Sequence, residues 1–196
     1  MSSTGDDAVF EVVWPLGKIA KVSIPARLGV DDLSGKTVGM LTNSLHRGEE
    51  IFDIVRQSLR KHYAGIQFRE FHLPRGWDEY EYLAKLPEEL RAGKCDAVIT
   101  GMGGGAGCAL SFVRASMAAE KAGIPSVTLL ASAFLKSGET LAQSMGMKKL
   151  AIAEYPGVSV MDSDELLRTK VQDKVVAGIV DGIATASDPS IPPQEP

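Results

Sequence analysis

The chain has 196 residues, with 21 Lys+Arg against 25 Asp+Glu, three His and two Cys. That length suits one domain and buries roughly 70% of the surface its unfolded form exposes, so no disulfide or metal staple is required. Two cysteines exclude a disulfide scaffold and a four-thiolate zinc site, and a net charge of −4 argues against a nucleic-acid partner, which calls for a basic face.

Residues 1–8 are small and acidic and are expected to be disordered, with no basic or apolar stretch of the kind a signal peptide needs. Residues 9–14 (VFEVVW) offer an N-terminal edge strand. Lys36 to Thr42 (KTVGMLT) reads as the first core strand, and Ile51, Ile54, Val55 and Leu59 recur at helical spacing after it. Ile66 to Leu73 (IQFREFHL) alternates like a strand exposed on one face. Residues 79–92 read as a helix interrupted by Pro87, and Cys95 to Thr100 (CDAVIT) as a strand running into a glycine cluster. A helix over 106–122, a strand from Ile124 to Ala131 and a helix over 133–146 follow. Leu150 to Glu154 is the fifth strand, and Asp162-Ser163-Asp164-Glu165 opens a long helix to about Ile183. The tail 187–196 (SDPSIPPQEP) carries four prolines and is expected to be disordered. The run from Ala97 to Val113 is uncharged but too rich in glycine for a membrane span. A cytoplasmic protein with reduced thiols and no membrane partner is expected.

Alternating strands and helices predict an α/β domain over 9–186. Its expected form is a three-layer, doubly wound, flavodoxin-like sheet of about five mainly parallel strands. Ligands of such sheets bind beyond the carboxyl ends of the strands, which nominates the loops 43–48, 73–78, 101–108, 132–138 and 155–160.

Within them, Thr100-Gly101-Met102-Gly103-Gly104-Gly105-Ala106-Gly107-Cys108 joins a strand to a helix. Backbone N–H groups of Gly103, Gly104, Gly105, Ala106 and Gly107, with the positive end of the helix, suit a carboxylate or a developing oxyanion. Gly101-x-Gly103-x-x-Ala106 satisfies a dinucleotide fingerprint formally, but Ala131-Ser132 stands where an acidic ribose ligand belongs. There is no Gly-Lys-Ser/Thr, and no cofactor is expected. Cys108 falls in the first helical turn, a position that favours a nucleophilic thiolate; a small buried apolar role is the alternative. Cys95, at a strand start, reads as structural.

Asn43, Ser44, His46 and Arg47 follow the first strand. Asn43 and Ser44 suit hydrogen bonds to a ligand or to a helix end, His46 a general base, and Arg47 either a bidentate carboxylate contact or a solvated surface position. Ser132 and Tyr155 lie just past the fourth and fifth strands as further ligand contacts, or as turn residues beside Pro156-Gly157. Trp77 and Asp78 would line an outer wall. His62 and His72 have no partner at metal-ligand spacing, so no metal is expected.

The stretches WPLG, ARLGVDDLSGKTVGMLTNS, CDAVITGMGG and AAEKAGIPSVTL, over roughly residues 12–160, resemble the UGSC-like family. Its members carry a Sec/Cys-Gly-Ser-Cys motif in this loop and are similar to part of the selenoprotein component of glycine reductase. In the register of EKAGIP the first Sec/Cys position falls on Gly105, the next two on Ala106 and Gly107, and the second Cys on Cys108. The resemblance implies displacement or redox chemistry at this loop; with the first chalcogen replaced by glycine, Cys108 acts alone or the scaffold serves non-redox chemistry.

Three readings stay open. The leading one is a thiol-dependent enzyme acting on a small carboxylated or carbonyl molecule, with Cys108 and His46 as catalytic residues. The second is a lyase or hydratase working in the same crevice without a covalent thiol step. The third is a non-catalytic substrate-binding subunit of a multi-component reductase. A small anionic ligand and a homo-oligomer are expected in each, with a second subunit in the third.

Overall fold

Five parallel strands form one sheet in the order β2-β1-β3-β4-β5, with helices on both faces. The computed structural model describes residues 29–76, 78–147 and 149–184. The candidate edge strand at 9–14, the two terminal segments and Trp77 therefore lie outside the described residues. The strands are β1 (Thr37–Thr42), β2 (Gln67–His72), β3 (Ala97–Gly103), β4 (Ser126–Ala131) and β5 (Ile152–Tyr155). The helices are α1 (Gly48–His62), α2 (Asp78–Ala92), α3 (Ala106–Lys121), α4 (Leu135–Ser144), α5 (Asp164–Lys170) and α6 (Val176–Ala184). This is the three-layer, flavodoxin-like α/β architecture.

Burial follows from the strand positions. β3 and β4 are covered on both faces, and every residue in them is buried, as continuous apolar runs require. β2 lies at an edge, and only Phe68 and Phe71 in it are partly buried. On one face Phe52, Val55 and Leu59 of α1 pack with Leu167, Val171, Val175, Ile179 and Ile183 over Val38, Met40, Ala97 and Ile99. On the other, Leu83, Leu86 and Leu90 of α2 meet Phe112, Ala115 and Ala119 of α3 over Leu41 and Val98.

Three elements depart from the sequence reading. α2 runs unbroken through Pro87, because Leu83, Leu86 and Leu90 bury its inner face on both sides of the proline. β3 continues past Thr100 to Gly103, and its register with β4 shifts between those residues. Gly101 takes φ 153° there, and a Cβ on it would stand 2.9 Å from Leu129, so only glycine fits. The last helix is not one continuous α-helix; a π-helical turn over Val171–Val175 separates α5 from α6. Among the described residues no helix is long and apolar enough to cross a membrane.

Candidate active site at the switch point

The chain leaves β1 toward β2 on one side and toward β3 on the other, so the crevice opens between the carboxyl ends of β1 and β3. Two segments meet there: loop 43–47 after β1 and the turn Gly104–Gly105 that starts α3.

The α3 turn is anchored from below. Thr100 Oγ1 lies 2.9 Å from Ser116 Oγ, and Thr128 Oγ1 donates to the same Ser116 oxygen at 2.7 Å. Glu120 Oε1 accepts from the Ser126 amide at 2.7 Å and from the Ser126 hydroxyl at 2.8 Å. These fully buried bonds fix α3 against β3 and β4 and thereby fix the height of its first turn. Gly105 is the N-cap, and no side chain caps the helix. The first amides of an uncapped helix have no intrahelical acceptor, so they remain as donors at the crevice.

Asn43 connects the two segments. Its side chain is buried; Oδ1 accepts from the Leu45 amide at 3.2 Å, which turns Nδ2 toward Cys108. Nδ2 donates to Cys108 Sγ at 3.3 Å. Cys108 is half-buried and faces a cavity of about 200 Å³, lined also by Leu73, Pro74, Arg75, Glu79, Gly107 and Ser111. Cys95 is also a free thiol, and burial pushes its pKa up to about 11.

His46 lies across the glycine turn. A Cβ on Gly104 would stand 2.6 Å from His46 Cγ, and one on Gly105 would stand 3.2 Å from His46 Nε2. The imidazole therefore occupies the space beside the position where the family resemblance puts the first chalcogen. The loop reaches this pose through left-handed backbone at Ser44, His46 and Arg47, with φ of 58°, 54° and 58°. Ser159 Oγ donates to the His46 carbonyl at 2.7 Å and holds it there.

Other candidates are occupied elsewhere. The Arg47 guanidinium is a pin rather than a free ligand contact. It donates to both Glu50 oxygens at 2.6 and 2.7 Å, to the Asp162 carbonyl at 2.7 Å and to Asp164 at 2.6 Å. Tyr155 is fully buried, and its hydroxyl donates to Asp162 Oδ2 at 2.6 Å, which withdraws it from a ligand role. Ser132 Oγ donates to Glu154 at 2.5 Å and accepts from the Gly157 amide at 3.0 Å, which is turn chemistry. The Ser44 hydroxyl donates to Glu49 and is exposed. Gly103 is buried inside β3, where a Cβ would meet Leu130 Cδ2 at 2.4 Å, so it does not line the cavity. Ala106 and Gly107 are exposed at the turn, and Gly107 reaches the cavity wall. His62 Nδ1 bonds its own helix at Ser58 O, 2.8 Å away, and His72 is exposed at the end of β2.

The sequence reading passed over Arg75, Glu79 and Ser111. Ser111 Oγ donates to Glu79 Oε2 at 2.8 Å and lies 3.0 Å from the Gly107 carbonyl; Arg114 lies 3.9 Å from Glu79. Their signal was available, since Leu73-Pro74-Arg75-Gly76 leaves a strand end at the active edge and Ser111 lies three residues past Cys108. Among the described residues no group of three His, Cys, Asp or Glu side chains is placed to hold a metal ion.

Fold and crevice together define a doubly wound α/β protein with a lone thiol on the first turn of the helix at its switch point. The sequence profile of the UGSC family matches residues 11–184, and the chain belongs to that family. Among curated proteins none matches the sequence.

Proposed function

We propose that this chain is an enzyme that binds a small carboxylated or carbonyl molecule in the crevice and attacks it with Cys108 Sγ. One observation carries the reading: a partly exposed sulfur receives a hydrogen bond from a buried amide, Asn43 Nδ2, while facing a cavity at an uncapped helix start. Donors aimed at a sulfur stabilise negative charge on it. In this mechanism the thiolate adds to an electrophilic carbon. The carbonyl electron pair moves to oxygen, where the free amides of the α3 turn receive it. His46, beside Gly104 and Gly105, is the proton carrier of this reading. Its position also supports the second reading, in which the same imidazole activates water or abstracts a proton and the sulfur forms no bond.

Alkylation of the native protein tests the nucleophile. With iodoacetamide at pH 8, Cys108 is expected to label completely while Cys95, about one part in a thousand thiolate at a pKa of about 11, stays unlabelled until the chain unfolds. Asn43→Ala should change the Cys108 labelling rate several-fold with little effect on Cys95. Peptide mass mapping reads both sites. Equal labelling of the two thiols, or a rate indifferent to Asn43, would remove the covalent mechanism.

A further inference from the structure

We propose that Arg75 and Glu79 form a two-point receptor in the crevice. It selects small acids that bear a hydrogen-bond donor, N–H or O–H, on the carbon next to the carboxylate. The proposal rests on the reading of the crevice as a ligand site and names the class of ligand it takes.

The cavity is small, about 200 Å³. Leu73 and Pro74 supply its apolar wall. Arg75 and Glu79 bring opposite charges to the same cavity, four residues apart, yet they form no ion pair with each other. Arg75 is exposed in the loop before α2 and has no ion pair among the described residues. Glu79 is on the first turn of α2 and is turned toward α3, where Ser111 and Arg114 hold its carboxylate.

The chemistry of the complement follows. A guanidinium donates only, and its planar fork suits a carboxylate. An ionised carboxylate accepts only, so whatever lies against Glu79 must donate. Two lone-pair directions remain on Glu79 after Ser111 and Arg114 are served, because each oxygen accepts about two bonds. Both groups line one small cavity, so one ligand carries the acceptor and the donor together, and an acid with its donor on the carbon next to the carboxylate is a compact molecule that does so. An ammonium and a hydroxyl share this donor chemistry, and the experiment separates them.

Propionate, L-lactate and L-alanine have nearly the same shape and differ only at the second carbon. Titrated into the native protein and followed by amide chemical shifts of residues 73–79 and 106–111, at least one of lactate and alanine is expected to bind about tenfold more tightly than propionate. Tighter alanine assigns an ammonium; tighter lactate assigns a hydroxyl. Arg75→Gln, on an exposed loop with no ion pair or side-chain hydrogen bond to lose among the described residues, should weaken the preferred acid about tenfold. Glu79→Gln should erase the preference over propionate. If that variant loosens the contact between α2 and α3, seen as a lowered melting temperature, the Arg75→Gln result stands alone. Equal binding of the three acids, no binding of any, or indifference to Arg75→Gln overturns the receptor. Alkylation of Cys108 is independent of these titrations. A reactive Cys108 with no acid selectivity sinks this proposal only, and selective binding beside an inert Cys108 sinks only the nucleophile.

Discussion

Gly104 has no room for a methyl group. Its missing Cβ would fall 2.6 Å from His46 Cγ and 2.8 Å from His46 Cβ, atoms close to the backbone that cannot swing aside as a side-chain tip would. Gly104→Ala should therefore cost about 1–3 kcal/mol, the usual range for forcing extra volume into a packed place. The penalty depends on one neighbour. His46→Gly removes the ring and Cβ together, and it also suits the left-handed backbone at φ 54°. In that background Gly104→Ala should become nearly neutral. A double-mutant cycle by chemical denaturation measures the coupling, expected above about 1 kcal/mol. Additive penalties would mean that the ring does not lie over the turn. The same pair explains why positions 104 and 105 are glycine. Gly101 and Gly103 are spent on the close approach of β3 to β4, Gly104 and Gly105 on the imidazole, and only Gly107 is left for the cavity.

At the scale of elements, alternation and helical spacing located all five described strands and their order along the chain, because period and burial are local properties. β2 reads as exposed on one face, whereas both of its faces are partly covered: Phe68 packs on the α1 side and Phe71 on the α2 side, as the incomplete cover of an edge strand allows. What stayed hidden depended on partners distant in sequence. Arg47 looked like a ligand residue because nothing local showed Asp162 and Asp164, more than a hundred positions away, closing on its guanidinium. Tyr155 hides its partner for a different reason, since a turn folds Asp162, seven positions on, back onto its hydroxyl. Pro87 read as a break because the three leucines that hold α2 together act through tertiary packing. Of the site, Asn43, His46 and Cys108 were legible from their loops alone, while Arg75 and Glu79 needed the cavity to become visible. The Arg47 pin joins α1 to the start of α5; its side chain is about 20% exposed but Asp164 is about 91% exposed, so the part-buried bond to the Asp162 carbonyl matters more than the ion pair with Asp164. Arg47→Ala should lower the melting temperature, because the Asp162 carbonyl and the Glu50 and Asp164 carboxylates lose their shared donor. Arg47→Lys, which keeps the charge and loses the fork, should fall between. A lysine variant as unstable as the alanine variant would show that the fork carries the contact and the charge carries little of it.

For the whole molecule, the acid limit of stability is where charge and fold meet. Asp162 lies between β5 and α5, with its side chain about 9% exposed. Its carboxyl is held below the usual carboxylate range, chiefly by the hydrogen bond from Lys170 at 2.7 Å and then by the one from Tyr155 at 2.6 Å. Burial and then the adjacent Asp162 carboxylate push the Tyr155 phenol upward, so it stays a donor at neutral and acid pH. A carboxylate whose folded pKa is depressed binds fewer protons in the native chain than in the unfolded chain. Stability therefore rises with pH between the two values. The contribution is complete above the ordinary aspartate value of about 4 and drains away as the pH falls through the lower, folded value. Asp162→Asn should consequently lose about 1–3 kcal/mol at pH 7, because Lys170 and Tyr155 are left with a weaker, neutral acceptor. The gap between the two proteins should narrow steadily below about pH 4, since acid removes from the native protein the charge that the substitution removed already. Urea melts at pH 7, 5, 4 and 3 trace it. A gap that stays constant down to pH 3 would assign the loss to packing at the end of β5, and the charge of Asp162 would then have no part in holding α5 on the sheet.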